Sequence, residues 1–144
     1  MQRIVVGIDG SSPSKEALRW AVEEARLRGA EVVALHAYDV PMTSPDLAPA
    51  RLDVVEAGTE VYERALALVA AVVDEVLGGD ADDVKVEPVA VEGISPATVL
   101  VEASRDAAML VVASRGHSEL AELVLGSVSH DCAEHAACPV LIHR

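Results

Sequence analysis

The sequence contains no phenylalanine, and one tryptophan and two tyrosines are its only aromatic residues. Val, Leu, Ile and Ala must therefore fill the core that a 51% hydrophobic content provides. Small and β-branched side chains suit parallel strands buried on both faces. Basic residues are also scarce: 11 Lys and Arg against 24 Asp and Glu leave a formal net charge of −13. Sequence-independent nucleic-acid binding, which neutralises phosphates with Lys and Arg, is disfavoured. A small anion can bind only where local donors outweigh the overall field. Long apolar runs are missing. The stretch from Ala65 to Val73 stops at Asp74 and Glu75, well short of the roughly 20 residues of a membrane span. A strand over Gln2 to Gly7, directly after Met1, leaves no room for a signal peptide, and two cysteines without secretory features predict reduced thiols in the cytoplasm. No Gly-Lys-Ser/Thr phosphate loop and no Gly-x-Ser-x-Gly elbow occurs, so no catalytic residue is assigned and no enzyme is expected.

What is present is a regular alternation over 144 residues, a length that suits one domain spanning 1–144. Four short β-rich runs, Ile4–Val6, Val32–Leu35, Met109–Val112 and Val140–Ile142, read as buried parallel strands. A fifth, Val84–Val89, alternates and holds Pro88, which predicts a half-exposed edge strand. Helical periods fill the gaps. Ser12 reads as the N-cap of the first helix, Pro13 as a first-turn residue and Gly29 as its stop, with Ala17, Leu18, Ala21, Val22 and Ala25 on one face and Trp20 off that stripe, partly exposed. A long helix follows from about Arg51 to Leu77, ended by Gly78-Gly79. Ser95-Pro96 opens a third and Gly126-Ser127 a fourth. Between them, Tyr38 to Pro49 reads as a proline-bearing loop over the sheet edge. Strand and helix in strict alternation imply right-handed crossovers and a parallel sheet covered by helices on both faces.

In such a sheet, ligands bind beyond the carboxyl ends of the strands where the winding reverses. Two strand ends carry unusual residues: Gly7-Ile8-Asp9-Gly10-Ser11-Ser12, and Ala113-Ser114-Arg115-Gly116-His117-Ser118 with Gly126-Ser127 beyond it. Glycines at a helix start let backbone N–H groups approach an anion, and a carboxylate such as Asp9 can accept from a ribose hydroxyl or a base amino group. The same glycines serve equally well as plain tight turns, with Ser127 as a plain helix cap. His130, Cys132, His135 and Cys138 have the residue types of a zinc set, but Cys138 precedes Pro139 at a strand start, so convergence on one helix face is not expected and no metal ligand is assigned.

Several motifs together resemble the universal stress proteins. Ile4-Val5-Val6-Gly7-Ile8-Asp9-Gly10-Ser11 is similar to their first strand. Val111 through His117, then Leu125-Gly126-Ser127-Val128-Ser129, then Cys138-Pro139-Val140-Leu141-Ile142 resemble their carboxyl-terminal half. The resemblance runs in order along the whole chain. It implies a Rossmann-like, doubly wound α/β fold with five parallel strands in the order 3-2-1-4-5. It also implies ATP or another adenine nucleotide as ligand, with Mg2+ as a further companion. In ATP-binding members a glycine, two residues, a second glycine and nine residues precede Gly-Ser or Gly-Thr. Here Ala113 departs from the first glycine, Gly116 supplies the second, and Gly126-Ser127 ends the motif. By that correspondence Gly7 and Asp9 face the adenosine, and the Ala37 backbone meets adenine. His117 and the amides around Gly116, Gly126, Ser127 and Val128 lie at the phosphates. Glu119 and Glu122 load the same loop with negative charge, and Ala108 stands where members commonly carry Asp.

The function these residues imply is a cytoplasmic stress-response module that signals through its nucleotide occupancy. The family's habit of pairing edge strands implies a homodimer through Pro139 to His143. The rival reading is a nucleotide-free dimeric interaction module, with Ala113 and Glu119 marking a degenerate pocket.

Overall fold

A computed structural model describes residues 1–40, 51–79, 83–115 and 125–144, with 51–57 placed as backbone only. The predicted roles of Gly116, His117, Glu119 and Glu122 and the prolines of the 41–50 stretch lie outside the described residues. The chain runs β1 (Arg3–Gly7), α1 (Ser12–Arg28), β2 (Glu31–Tyr38), α2 (Arg51–Leu77), β3 (Val86–Glu92), α3 (Pro96–Ala103), a 3-10 turn (Ser104–Asp106), β4 (Met109–Ala113), α4 (Ser127–His135) and β5 (Val140–His143). The five strands form one sheet in the order β3-β2-β1-β4-β5. Every pair is parallel, with Val5 beside Val33 on one side and Leu110 on the other.

Period-two alternation divides the core between the two faces of this sheet. Ile4, Val6, Val32 and Val111 pack with Leu18, Ala21, Val69 and Val72 under α1 and α2. Val5, Leu35, Leu110 and Val112 pack with Leu100 and Cys132 under α3 and α4. Both clusters are aliphatic, as the lack of phenylalanine requires. A fully buried residue such as Leu18 or Leu110 contributes about 1.5–3 kcal/mol of apolar burial. Trp20 is half-buried against the first cluster.

Local chemistry sets the element ends. The first helix begins one residue earlier than its sequence suggests: Ser11, not Ser12, is the N-cap, and its Oγ accepts from Ser14 N–H at 3.3 Å. Ser12 and Pro13 then occupy the first two helical positions, where a missing N–H is harmless. Gly29 ends α1 at φ 64°, a conformation that glycine adopts without a Cβ penalty. The third strand runs Val86–Glu92, starting two residues later than the alternation predicts, and Val84 before it is buried in the first cluster. β3 is an edge strand, so Pro88 costs no ladder bond on its open side.

After β3 the chain returns past β1 to lay down β4 and β5 on the opposite side. Loops leaving β1 and β4 must therefore diverge to opposite faces. This divergence opens a crevice at the carboxyl ends of those two strands.

Candidate functional site

One wall of the crevice is the turn from β1 into α1. Asp9 Oδ1 accepts from the Ser11 N–H at 2.9 Å and from the Ser11 hydroxyl. Gly10 makes this turn possible with φ 82°, a region disfavoured for any residue with a Cβ. The carboxylate is thus oriented by the same serine that caps the helix. Behind it, His36 Nδ1 lies 2.7 Å from the carbonyl oxygen of Ile8. A carbonyl only accepts, so Nδ1 carries the hydrogen in this contact. Ile8 N–H in turn donates to Leu35 O at 2.8 Å, so the residue before Asp9 is tied to β2 at both its polar groups.

The opposite wall is the junction of β4 and α4. Gly126 N–H donates to Ser114 O at 2.8 Å, and Ser129 Oγ lies 3.2 Å from the same oxygen and 3.0 Å from Gly126 O. These bonds join the two ends of the segment whose spacing marked the motif. A Cβ on Gly126 would lie 3.3 Å from Ser114 O, so glycine at 126 is a matter of space between two backbones. Gly126 is also the N-cap of α4 and brings no capping side chain, while Ser127 is the first helical residue. Ser127 therefore does not cap its helix. The first intrahelical bond is His130 N–H to Gly126 O, which leaves the N–H groups of Ser127, Val128 and Ser129 without helical acceptors and pointing past the helix start.

Between the walls lies a cavity of about 530 Å³, within the range of small-molecule sites. Gly7, Asp9, Ala37, Ala113, Gly126, Ser127 and Val128, the described members of the predicted set, all line it. Ala113 also packs against the α1–α2 cluster. The departure from glycine at 113 thus leaves the cavity open among the described residues. Gly126 contributes close backbone approach rather than a donor, since its own N–H is already taken.

Sequence reasoning missed the apolar floor and roof. Leu35, Pro96, Leu100 and Val112 line the cavity, yet each reads in sequence as an ordinary core or helix-start residue. Gly7 is what admits Leu100, whose Cδ1 would lie 2.9 Å from a Cβ at that position. Ser14 and Ser129 also reach the cavity from first helical turns. His36, Ser114 and Arg115 stood next to predicted residues, and their position at strand ends was the available signal. Among the described residues, Arg115 is the one Lys or Arg that lines the cavity and Asp9 the one carboxylate.

A second hollow, of about 500 Å³, lies along α1 beside Trp20, Val76, Leu77 and His143. Its cations are already engaged, Arg19 by Glu16 and Arg26 by Glu23 and Asp83. Nor does the fold assemble the cysteines and histidines of the chain's end into a site. Cys132 is sealed in the core, where burial pushes its thiol up to about 11, while His130 and His135 are exposed.

A doubly wound α/β domain with a ligand-sized cavity at its switch point is the class that this fold and site define. The family model described as the universal stress protein family matches residues 1–144. A universal stress protein of Mycobacterium tuberculosis is 37% identical over 145 residues, covering 100% of this chain and 48% of its own length. One from Mycolicibacterium smegmatis is 32% identical over 139 residues, 96% of this chain and 47% of that protein. Among solved structures, a universal stress protein in complex with cAMP is 30% identical with a TM-score of 0.70, over 99% of this chain and 97% of that one. UspA from Lactobacillus plantarum, 22% identical with a TM-score of 0.76 over 99% of this chain and 97% of that one, shares the fold. This chain belongs to the universal stress protein family. It spans about half the length of the curated relatives it matches. Among the described residues, no helix is long and apolar enough to cross a membrane.

Proposed function

We propose that this chain binds an adenine nucleotide in the cavity between the β1–α1 turn and the β4–α4 junction, and acts in the cytoplasm as a stress-response module whose state depends on that occupancy. The observation that carries this reading is the convergence, in one cavity, of three kinds of group that a nucleotide needs. Leu35, Leu100 and Val112 offer an apolar bed for a base, with the Ala37 backbone at its edge. Asp9 offers an acceptor for hydroxyl or amino hydrogens. The start of α4 and Arg115 offer donors and positive potential for phosphate. ATP and other adenine nucleotides are the candidate ligands, with Mg2+ accompanying a polyphosphate. The cAMP complex of a relative that is 30% identical supports the choice of an adenine nucleotide. No side chain in the cavity is assigned a catalytic part: binding, not turnover, is the proposed activity.

Calorimetric titration of nucleotide-free protein with adenosine, AMP and ATP tests this. Binding with a Kd below about 1 mM for at least one of them, weakened about tenfold or more in Asp9→Asn, is the expected result. Absence of heat with all three at millimolar concentration refutes it. The same reading includes self-association. β5 is a sheet edge whose Val140, Leu141 and Ile142 are half-buried against both core clusters, and an apolar edge strand favours pairing with a second copy.

A further inference from the structure

We infer that His36 is a positioning residue of the cavity: its ring ends the β1–β2 ladder one bond early and so keeps the backbone edge of Ala37 open to a ligand. This role rests on the proposed function, in which the Ala37 backbone meets a base. Along a parallel strand, alternate residues direct their N–H and C=O groups to opposite neighbours. Val32 N–H donates to Lys85 O at 2.9 Å, and Tyr38 O accepts from Gly93 N–H at 2.9 Å, so the even-numbered residues of β2 face the β3 side. Glu31 N–H donates to Gln2 O at 3.0 Å, and Leu35 O accepts from Ile8 N–H at 2.8 Å, so the odd-numbered residues face the β1 side. Ala37 belongs to the second set.

The next bond of that ladder would run from Ala37 N–H to Ile8 O. Among the described residues it is not made. Ile8 O is met instead by His36 Nδ1 at 2.7 Å, a side chain standing in for the backbone donor. Ile8 is buried, and a buried carbonyl without a donor costs about 1–3 kcal/mol. The imidazole therefore satisfies Ile8 while the N–H and C=O of Ala37 stay unspent on β1. Ala37 lines the cavity. Its two groups, directed to the same side past the end of the ladder, form a donor and acceptor pair suited to the polar edge of a base. Asp9 follows Ile8 directly, so the same bond fixes the start of the turn that carries the carboxylate.

Amide hydrogen exchange and calorimetry on the full chain, as wild type, His36→Leu and His36→Asn, test this with adenosine, AMP and ATP as probes. Leu removes the donor at similar bulk, whereas Asn keeps an N–H donor near the place of Nδ1. In the ligand-free wild type the Ala37 amide is expected to exchange about tenfold or more faster than the Ile8 amide, and to slow on saturation with a probe that binds. In His36→Leu the vacated Ile8 carbonyl can take the Ala37 amide. That amide is then expected to be protected without ligand, and affinity to fall about tenfold. His36→Asn is expected to bring both back to within about threefold of the wild type. A merely structural histidine would lower the thermal midpoint without changing the exchange of Ala37 relative to Ile8. The wild-type comparison decides the matter by itself if His36→Leu does not fold. An Ala37 amide as slow as that of Ile8 in the ligand-free wild type overturns the inference. Full affinity in His36→Leu does so too, as does a loss there that His36→Asn does not recover. The nucleotide reading stands in all three cases. If the wild type binds none of the three probes, both fall.

Discussion

Gly126 has an ordinary φ of −62°, so its missing side chain serves proximity rather than backbone freedom. Gly10, at φ 82°, is the opposite case, since its conformation is what turns the chain back onto Asp9. Two glycines that look alike in sequence thus answer different physical demands, and only coordinates separate them. Cys132 gives a prediction at this scale. Its thiol, with an ordinary pKa of 9.0, is pushed up to about 11 by burial in the α3–α4 cluster. Between these values the unfolded chain ionises its thiol first, so the folded state holds more protons and stability falls as pH rises. Below pH 9.0 this contribution is fully present. Urea unfolding should therefore show a loss between about pH 9 and 11 that is smaller in Cys132→Ala, after allowing for the constant cost of the lost packing. Equal losses in both proteins would place the thiol in a more polar setting than the core cluster.

The elements carry the site because their ends do. Ser11 caps α1 with its Oγ while its N–H and hydroxyl orient Asp9. Removing the hydroxyl should therefore have two effects at once. Ser11→Ala is expected to destabilise the protein by about 1 kcal/mol, read as a lower urea midpoint, and to weaken nucleotide binding by releasing Asp9. A stability loss with unchanged affinity would show that the carboxylate keeps its place without the Ser11 hydroxyl. Most of the element pattern was legible beforehand: the apolar face of α1, its stop at Gly29 and the edge character of β3 all follow from periodicity and from what Gly and Pro permit. The α1 cap was misplaced by one residue because Ser11 and Ser12 are chemically equivalent in sequence. The Asp9–Gly10 turn, not residue type, decides which of them caps. Pro96 and Leu100 were not legible as cavity residues, since their part depends on α3 settling onto Gly7, a contact between residues far apart in the chain.

For the molecule as a whole, the two sheet edges differ. β3 carries Pro88 and the charged Glu87 and Glu92, devices that discourage pairing. β5 is Val-Leu-Ile-His with no such protection. If the proposed dimer forms there, Leu141→Lys should shift the protein to a monomer in light scattering after size exclusion, while the wild type elutes at twice the chain mass. A monomeric wild type would sink the edge-pairing reading. The sequence by itself determined the alternation of strands and helices, the two-sided burial of the sheet and the turn chemistry flanking the site, because these depend on periodicity and on residues near one another in the chain. Only the tertiary structure decided that His36, Arg115, Pro96 and Leu100 share one cavity with Asp9, Ala37 and the start of α4. The reversal of winding between β1 and β4 brings these distant segments together, and no local pattern encodes that reversal.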